Sequence, residues 1–251
     1  MFIPNVPDFA IISFIFLAAG GVKGILGMGL PTVAMGLLGL VMPVAQAAAL
    51  LVVPSLATNV WQMLRGGLLR ALLRRLWPMM AGVIVGVGAG QGFMAAGAGW
   101  HASVLLGGCL VAYAAAGLAG WRLARPPARH EATASAAIGA ATGLMTAATG
   151  VFVLPAVPYL QALGLDKDEM AQALGLSFTV STLALTANLA AAGALRLESA
   201  AQSLLVLLPA LAGMWLGQRV RDELSQDSFR RWLFGGLSAL GAWLVGRSFW
   251  A

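Results

Sequence analysis

A long apolar run near the start of the chain carries a single charge. From Phe9 to Met42 there is no acidic residue, and Lys23 is the only charged side chain. Glycines crowd the middle of this run, in the stretch GGVKGILGMGLP from Gly20 to Pro31. Because glycine and proline both weaken a helix interior, the run cannot form one regular helix. The pattern predicts a membrane helix that is broken at a ligand site and holds one buried cation.

The composition extends this interpretation to the whole chain. Of its 251 residues, 60% are hydrophobic and 10% are charged, whereas about 25% are charged in a soluble domain. We therefore expect an integral membrane protein whose partner is the lipid bilayer. The net charge of +6 does not indicate nucleic-acid binding, because the basic residues fall in short loops, where they report orientation and contact anionic lipid.

Apolar segments recur along the chain and predict an all-α polytopic membrane protein. Runs of about 20 residues cross a bilayer as helix. Two of the runs, Pro31–Met42 and Val151–Leu163, are too short to cross comfortably. The predicted segments are Phe9–Ile25, Pro31–Met42, Val44–Leu64, Leu76–Ala98, Ala102–Trp121, Ala134–Met145, Val151–Leu163, Met170–Ala192, Ser199–Gln218 and Phe229–Val245.

The polar linker 122–133 divides the chain into two halves, 9–121 and 134–248, that resemble each other. AQAAALLVVPSLATN lies over AQALGLSFTVSTLAL, which pairs Gln46 with Gln172 and Ser55 with Ser181. Upstream, GILGMGLPTVAM lies over GLMTAATGVFVL after one insertion. We therefore predict a single membrane domain, 1–251, built from two internal repeats. Each repeat has a broken or re-entrant segment followed by three membrane helices.

Two arrangements in the membrane are open. If both broken segments cross fully, eight spans result, and the loops carry nine basic residues on one side and five on the other. If the broken segments return as hairpins, the division is twelve against two. The positive-inside bias favours the hairpins. Three full spans in each half would then make the repeats inverted, as in many transporters.

The glycine-rich motifs resemble those of the sulfite exporter TauE/SafE family. The resemblance rests on GGVKGILGMGLP followed by an AQA helix, repeated as GLMTAATGVFVLP and AQALGLSF, and it covers roughly Phe9 to Val245. It implies about eight membrane segments formed by duplication. It also implies a permease of the bacterial inner membrane that handles sulfite, sulfonates or related organic anions. Thr146–Thr149 depart from the family pattern, because glycines are common there, and we expect a narrower or more polar second break.

Lys23 is the strongest candidate for a binding residue. A charge at the middle of a bilayer costs about 2.5–3.5 kcal/mol on insertion scales. Lys23 could attract an anionic substrate, or it could snorkel to water beside the break. The glycines are open to two interpretations as well. They could let helices approach closely, or they could free backbone N–H groups that point a helix N-terminus at an anion.

Neutral polar residues cluster on the two AQA helices. Each could serve only helix–helix hydrogen bonding, but together they could ring an oxyanion. They are Gln46, Ser55, Thr58, Asn59, Gln172, Ser177, Thr179, Ser181, Thr182 and Asn188. The predicted substrate-binding residues are Lys23, Gly24, Gly27, Gly29, Gln46, Ser55, Asn59, Thr146, Thr149, Gly150, Gln172, Ser177 and Ser181.

These features predict a secondary transporter of a small anion, most simply sulfite or an organosulfonate. No Asp or Glu lies inside a predicted span, which argues against a cation carrier. No catalytic constellation is visible, so we predict neither an enzyme nor a metal or cofactor site. Export follows from the family resemblance alone. A membrane scaffold that transports nothing is the alternative, and the anion carried, the coupling ion and the oligomeric state are left open.

The hairpin arrangement makes a prediction about topology. Reporter fusions at Arg70 and at Ala251 should report opposite sides of the membrane, because both termini would face outside and the Arg65–Arg75 loop inside. If the two fusions report the same side, the eight-span arrangement is correct.

Overall fold

The computed structural model describes residues 6–94, 99–121, 123–195, 197–221 and 223–249. Within these residues the chain is helical and has no strand. The predictions that fall on Arg122, Arg196 and Ala251 lie outside them. The helices are α1 (Val6–Leu26), α2 (Leu30–Leu38), α3 (Val44–Leu64), α4 (Leu69–Ala89), α5 (Gly99–Leu118), α6 (Glu131–Thr149), α7 (Ala156–Ala162), α8 (Lys167–Ala191), α9 (Leu197–Leu205), α10 (Leu207–Val220) and α11 (Gln226–Arg247).

Six stretches in the described part of the chain are long and apolar enough to cross a membrane. They are Phe9–Leu26, Val44–Leu64, Leu69–Ala89, His101–Leu118, Lys167–Ala191 and Ser199–Val220. The fold is therefore that of an all-α, multi-pass membrane protein, as the apolar segments predicted. Acidic residues do enter the helices, but in the described part of the chain they lie only in the first turns of α1, α6, α8, α9 and α11.

The first interrupted segment consists of α1, a three-residue break and α2. Gly27 and Gly29 have φ angles of 73° and 104°, a region that side chains other than glycine rarely adopt. Pro31 follows in the first turn of α2, where its missing N–H costs no hydrogen bond. The glycine-rich stretch thus ends one helix and begins another.

The second interrupted segment consists of α6, a longer break and α7. Gly150 ends α6 with a φ angle of 71°, and an irregular stretch, Val151–Val153, follows. A Cβ atom on Gly150 would lie 2.9 Å from Cε of Met35, in the middle of α2. The second break therefore packs against the short helix of the first segment.

Several helix boundaries differ from the predicted segments. The fourth segment begins at Leu69 rather than Leu76, because the arginine-rich turns between them are helical although they are not apolar. The stretch Ser199–Gln218 is divided at Val206 into α9 and α10. Pro209, in the first turn of α10, cannot donate a backbone hydrogen bond to the preceding turn, which explains the interruption.

Contacts between helix ends show which loops share one end of the molecule. Gln172, near the start of α8, hydrogen-bonds Met63 O at 2.8 Å and accepts from Leu68 N at 3.1 Å. Trp121, just after the end of α5, lines the same cavity as Met170, at the start of α8, and Arg231, near the start of α11. The arginine-rich α3–α4 loop and the starts of α8 and α11 are thus at one end, which we call the basic end.

The C-terminus of α2 lies at the other end. Arg247, the last residue of α11, donates to Leu40 O at 2.8 Å and to Gly39 O at 3.0 Å. Since α11 starts at the basic end, α2 returns to the end opposite to it. This is the direction of α2 that the hairpin arrangement expects, and the arrangement itself stays a prediction. The duplication of the chain stays a prediction.

Several pairs of helices among the described residues approach so closely that their backbones touch, and two of these pairs serve as examples. A Cβ atom on Gly143 of α6 would lie 2.3 Å from Val83 O of α4. At the other pair, a Cβ atom on Gly217 of α10 would lie 2.2 Å from Gly21 O of α1. Small residues permit this contact, which is the main source of helix association where lipid removes the hydrophobic driving force.

An ion pair fixes the start of α6 to α4. Arg75 donates to both carboxylate oxygens of Glu131, at 2.5 and 3.0 Å. This hydrogen bond holds the pKa of Glu131 below its ordinary value. Both side chains are partly exposed, so the pair contributes little to stability and serves mainly to set the register of the two helices.

The close contact of α4 with α6 can be tested with two glycines of α4. A Cβ atom on Gly86 would lie 2.1 Å from Ala140 O, whereas one on Gly88 would meet nothing within 4 Å. We expect Gly86→Ala to destabilise the protein by about 1–3 kcal/mol, because backbone must move to admit the methyl group. Gly88→Ala should leave stability unchanged or raise it slightly. Thermal unfolding in detergent would measure both, and equal midpoints would contradict the described contact.

Candidate functional site

Lys23 lies inside the helix bundle, one turn before the first break. Its side chain is 4% exposed. Its ammonium group donates to Thr58 Oγ1 at 3.1 Å and to Asn59 Oδ1. Both acceptors belong to α3, so the cation is turned into the protein and does not snorkel to water.

Hydrogen bonds behind these two acceptors fix their orientation. The Thr58 hydroxyl donates to Pro54 O at 2.8 Å, which leaves its oxygen to accept from Lys23. The Asn59 amide donates through Nδ2 to Ser55 Oγ at 3.1 Å, so its carbonyl oxygen faces Lys23. α3 thus presents two oriented oxygen atoms to the cation.

The same network crosses to α8. Ser55 Oγ lies 3.4 Å from Thr182 Oγ1. The Thr182 hydroxyl donates to Phe178 O at 2.7 Å, so the proton between the two hydroxyls comes from Ser55. The two AQA helices are therefore joined by a polar connection that begins at Lys23.

A proline explains why α3 can hold polar side chains at this depth. Pro54 has no N–H, which leaves Leu50 O without its partner in the helix. Ser203, on α9, donates to Leu50 O at 2.7 Å and accepts from Val53 N at 3.0 Å. The serine restores the hydrogen bonds that the proline interrupts, as polar residues of neighbouring helices do in membranes.

No carboxylate balances the charge of Lys23 among the described residues. The Glu131 carboxylate, near the start of α6, is paired with Arg75. An ammonium group has three N–H donors, and two of them are used here. A buried charge that has only neutral partners is costly, and a bound anion would remove that cost.

Buried polar atoms without a protein partner occur on α2, α3 and α8. Such atoms are rare, and each needs an explanation such as water or a ligand. Two of them, Ser177 Oγ and Ser181 Oγ, belong to predicted site residues. The atoms are Thr32 Oγ1, Gln62 Oε1, Ser177 Oγ, Ser181 Oγ and Asn188 Oδ1.

The start of α2 has two kinds of hydrogen-bond donor without an acceptor in the helix. Thr32 is fully buried in the first turn of the helix, and its hydroxyl has no partner. The first N–H groups of a helix also lack intrahelical acceptors, and they carry partial positive charge. The first break thus presents donors of two kinds to the interior.

Two predicted residues, Gly24 and Gln172, serve contacts between helices, and a third, Gln46, is exposed. Gly24 contacts the backbone of α10, with Met214 O 2.3 Å from the position of a Cβ atom. Gln172 is buried, and both ends of its amide bond the α3–α4 loop. Gln46 is exposed in the first turn of α3, about 20 Å along the helix from Asn59.

The second break has no charged residue. The hydroxyls of Thr146 and Thr149 donate at 2.7 Å to the carbonyls of Thr142 and Met145 in their own helix. Thr149 Oγ1 also accepts from Val151 N at 3.2 Å. The two hydroxyls are thus engaged in shaping the end of α6, and Gly150 supplies the turn.

Gln62 is one of the residues that the sequence interpretation missed, and Thr32 is another. Gln62 Nε2 donates to Gly27 O and to Ala171 O, both at 3.0 Å, which ties the first break to the start of α8. A signal was available, because Gln62 lies one turn beyond Thr58 and Asn59 on the same helix. Thr58 was in the predicted polar group but not among the predicted binding residues.

The described residues contain no group of three His, Cys, Asp or Glu side chains that could hold a metal ion. What they contain is a bundle of membrane helices, two interrupted segments and a buried cation with neutral partners. These features define a multi-pass membrane protein of the transporter class.

Comparison with known proteins makes the assignment more specific. The profile of the family described as sulfite exporter TauE/SafE matches residues 12–244. The chain belongs to this family, whose transport activity concerns sulfite and related anions, and this agrees with the prediction that it is not an enzyme. No curated protein and no solved structure matches the chain.

The contact between Lys23 and Asn59 can be tested through stability. Asn59→Leu removes the acceptor and leaves a buried N–H donor unpaired, so we expect a loss of about 1–3 kcal/mol. Asn59→Asp places a carboxylate beside the cation and should preserve stability. Gln46→Leu, at the exposed start of the same helix, is the control and should change little. Thermal unfolding in detergent measures all three, and equal effects of the two leucine variants would contradict the described site.

Proposed function

We propose that the protein is a secondary transporter that carries sulfite or an organosulfonate. The observation that supports this most is the buried charge of Lys23, which has neutral partners only. An anion that leaves water for a medium of low dielectric constant needs a charge of opposite sign nearby. Lys23 supplies that charge, and the anion in turn compensates Lys23.

Neutral donors complete the proposed site. A sulfonate or sulfite group offers several oxygen atoms, and each can accept hydrogen bonds. The start of α2, with the unpartnered Thr32 hydroxyl, lies directly after the first break. Ser177 and Ser181 are buried and unpartnered on α8, the helix that the network from Lys23 reaches. Hydrogen bonds from such donors would orient the bound anion, which the charge of Lys23 alone would not do.

The interrupted segments are the proposed moving parts. Transporters of this type place the substrate near the middle of the membrane, between broken helices of two inverted repeats. Here the second break contacts Met35 of the first segment, and glycines with positive φ angles end α1 and α6. We propose that small rotations at Gly27, Gly29 and Gly150 open the site to one side and then to the other.

Direction and location follow from the family. Its description names sulfite export, and we propose export from the cytoplasm across a bacterial inner membrane. The basic end would then face the cytoplasm, in accordance with the positive-inside rule.

Substitution of Lys23 tests the proposed mechanism. Lys23→Met keeps the length of the side chain and removes the charge, so transport of sulfite or sulfoacetate into proteoliposomes should fall by at least about tenfold. Folding should persist, because a costly buried charge has gone. Lys23→Arg should retain part of the activity.

The chain contains a matched control. Lys167 is the only other lysine, and it is exposed at the start of α8. Lys167→Met should transport as well as the parent protein. Full activity of Lys23→Met would show that neutral donors alone hold the anion. Transport of alkali cations without any sulfite or sulfonate would overturn the proposed function itself.

A further inference from the structure

A second polar feature opens at the basic end of the molecule. A cavity of about 560 Å³ lies between the end of α5, α7 and the start of α11. Trp121, Gln161, Asp227, Arg230 and Arg231 are among its lining residues, and Met28 of the first break lines it as well. The cavity therefore joins a charged surface to the break.

The charge at the mouth of the cavity favours anions. Arg230 and Arg231 are exposed, as is Asp227. The mouth has a net charge of +1, because its charged lining residues are two arginines and one aspartate. An excess of one sign of charge in a cleft raises the local concentration of ions of the opposite sign.

A continuous line of contacts leads from the mouth to the break. The guanidinium carbon of Arg230 lies 5.9 Å from the centroid of the Phe234 ring. Phe234 packs edge-on against Tyr113, with ring centroids 5.3 Å apart and an angle of 85° between the planes. The hydroxyl of Tyr113 contacts Met28 Sδ at 3.9 Å. The wall of the cavity is thus cationic at the mouth and aromatic below it.

Met28 lines the cavity and follows Lys23 by five residues along the chain. It is half-buried and lies between the two glycines of the first break. Gly27 N donates to Lys23 O at 2.8 Å, so the backbone of Lys23 is one helical turn before Gly27. Lys23 does not line the cavity and is almost fully buried. We call the contact between Tyr113 and Met28, which both line the cavity, the floor of the cavity.

We propose that this cavity is the chamber through which an anion from the basic end reaches the Lys23 site, and that Tyr113 and Met28 form its closed gate. Arg230 and Arg231 hold the anionic group at the mouth, and the aromatic wall accepts the hydrocarbon part of a sulfonate. This inference rests on the proposed function for the identity of the anion. The chamber itself can be tested without measuring transport.

The test uses thiol-reactive probes of opposite charge. The only cysteine of the chain is Cys109, which is buried, so Cys109→Ala provides the background. Met28→Cys then reports access to the floor of the cavity. Purified protein in detergent is treated with sulfonatoethyl methanethiosulfonate, an anion, or with trimethylammonioethyl methanethiosulfonate, a cation. The ratio of the two labelling rates is the measured quantity.

If the cavity is such a chamber, the anionic probe should label Met28→Cys faster than the cationic probe does. Adding Arg230→Gln and Arg231→Gln should lower the ratio of anionic to cationic rates by at least about fivefold, because two nearby charges are removed. The matched control is Arg219→Gln with Arg221→Gln, which removes the same charge from the nearby end of α10 without touching the cavity. The control should keep the ratio of the Met28→Cys protein. If Met28→Cys does not fold, Gln161→Cys takes its place.

The closed gate makes a separate prediction. Lys23→Cys should react with either probe at least about tenfold more slowly than Met28→Cys, as expected of a buried position. Equal rates would show that no gate separates the two positions. The chamber would be overturned if substitution of Arg230 and Arg231 left the ratio of labelling rates unchanged, or if the control pair changed it equally.

The outcomes distinguish this inference from the proposed function. Charge-selective labelling without sulfite or sulfonate transport would leave the chamber in place and refute the proposed substrates. Transport that depends on Lys23, together with an unlabelled Met28→Cys and Gln161→Cys, would refute the chamber alone.

Discussion

The structure around Lys23 must stabilise a positive charge that is buried inside the protein. Lys23 is buried with two neutral oxygen partners and no carboxylate among the described residues. An ammonium group in this setting is stable only if acceptors are held in place for it. α3 holds them through bonds to Pro54 O and Ser55, and α8 extends the network through Thr182. The remaining positive charge makes the site suited to an anion.

Glycine has two roles in the fold, and the structure separates them. Gly143 and Gly217 let pairs of helices touch through their backbones, which fixes α6 against α4 and α10 against α1. Gly27, Gly29 and Gly150 instead take positive φ angles and interrupt α1–α2 and α6–α7. The first group makes rigid contacts, and the second group supplies points where the chain can turn. A transporter needs both, because rigid bodies must move about defined hinges.

Much of the site could be predicted from residue type and position, and the limits have physical causes. Lys23 stood out because a charge in an apolar run is costly, and Ser55 and Asn59 because they are polar at the same depth. Gln46 and Gln172 matched in the repeat but lie at helix starts, where an amide serves the loop or the solvent. Gln62 was missed because its importance comes from Gly27 and Ala171, which are distant in sequence.

The sequence by itself determined the class of protein, because its apolar runs can be buried only in a bilayer and its glycines with Pro31 predict an interrupted helix. It also singled out Lys23, since insertion cost depends on residue type alone. The tertiary structure decided which side chains face Lys23, which glycines pack and which turn, and where a cavity reaches the break. Those outcomes depend on contacts between α1, α3, α5, α8 and α11, whose relative positions no local pattern specifies. Helix packing in lipid is set by shape and hydrogen bonding between segments, which only the assembled bundle reveals.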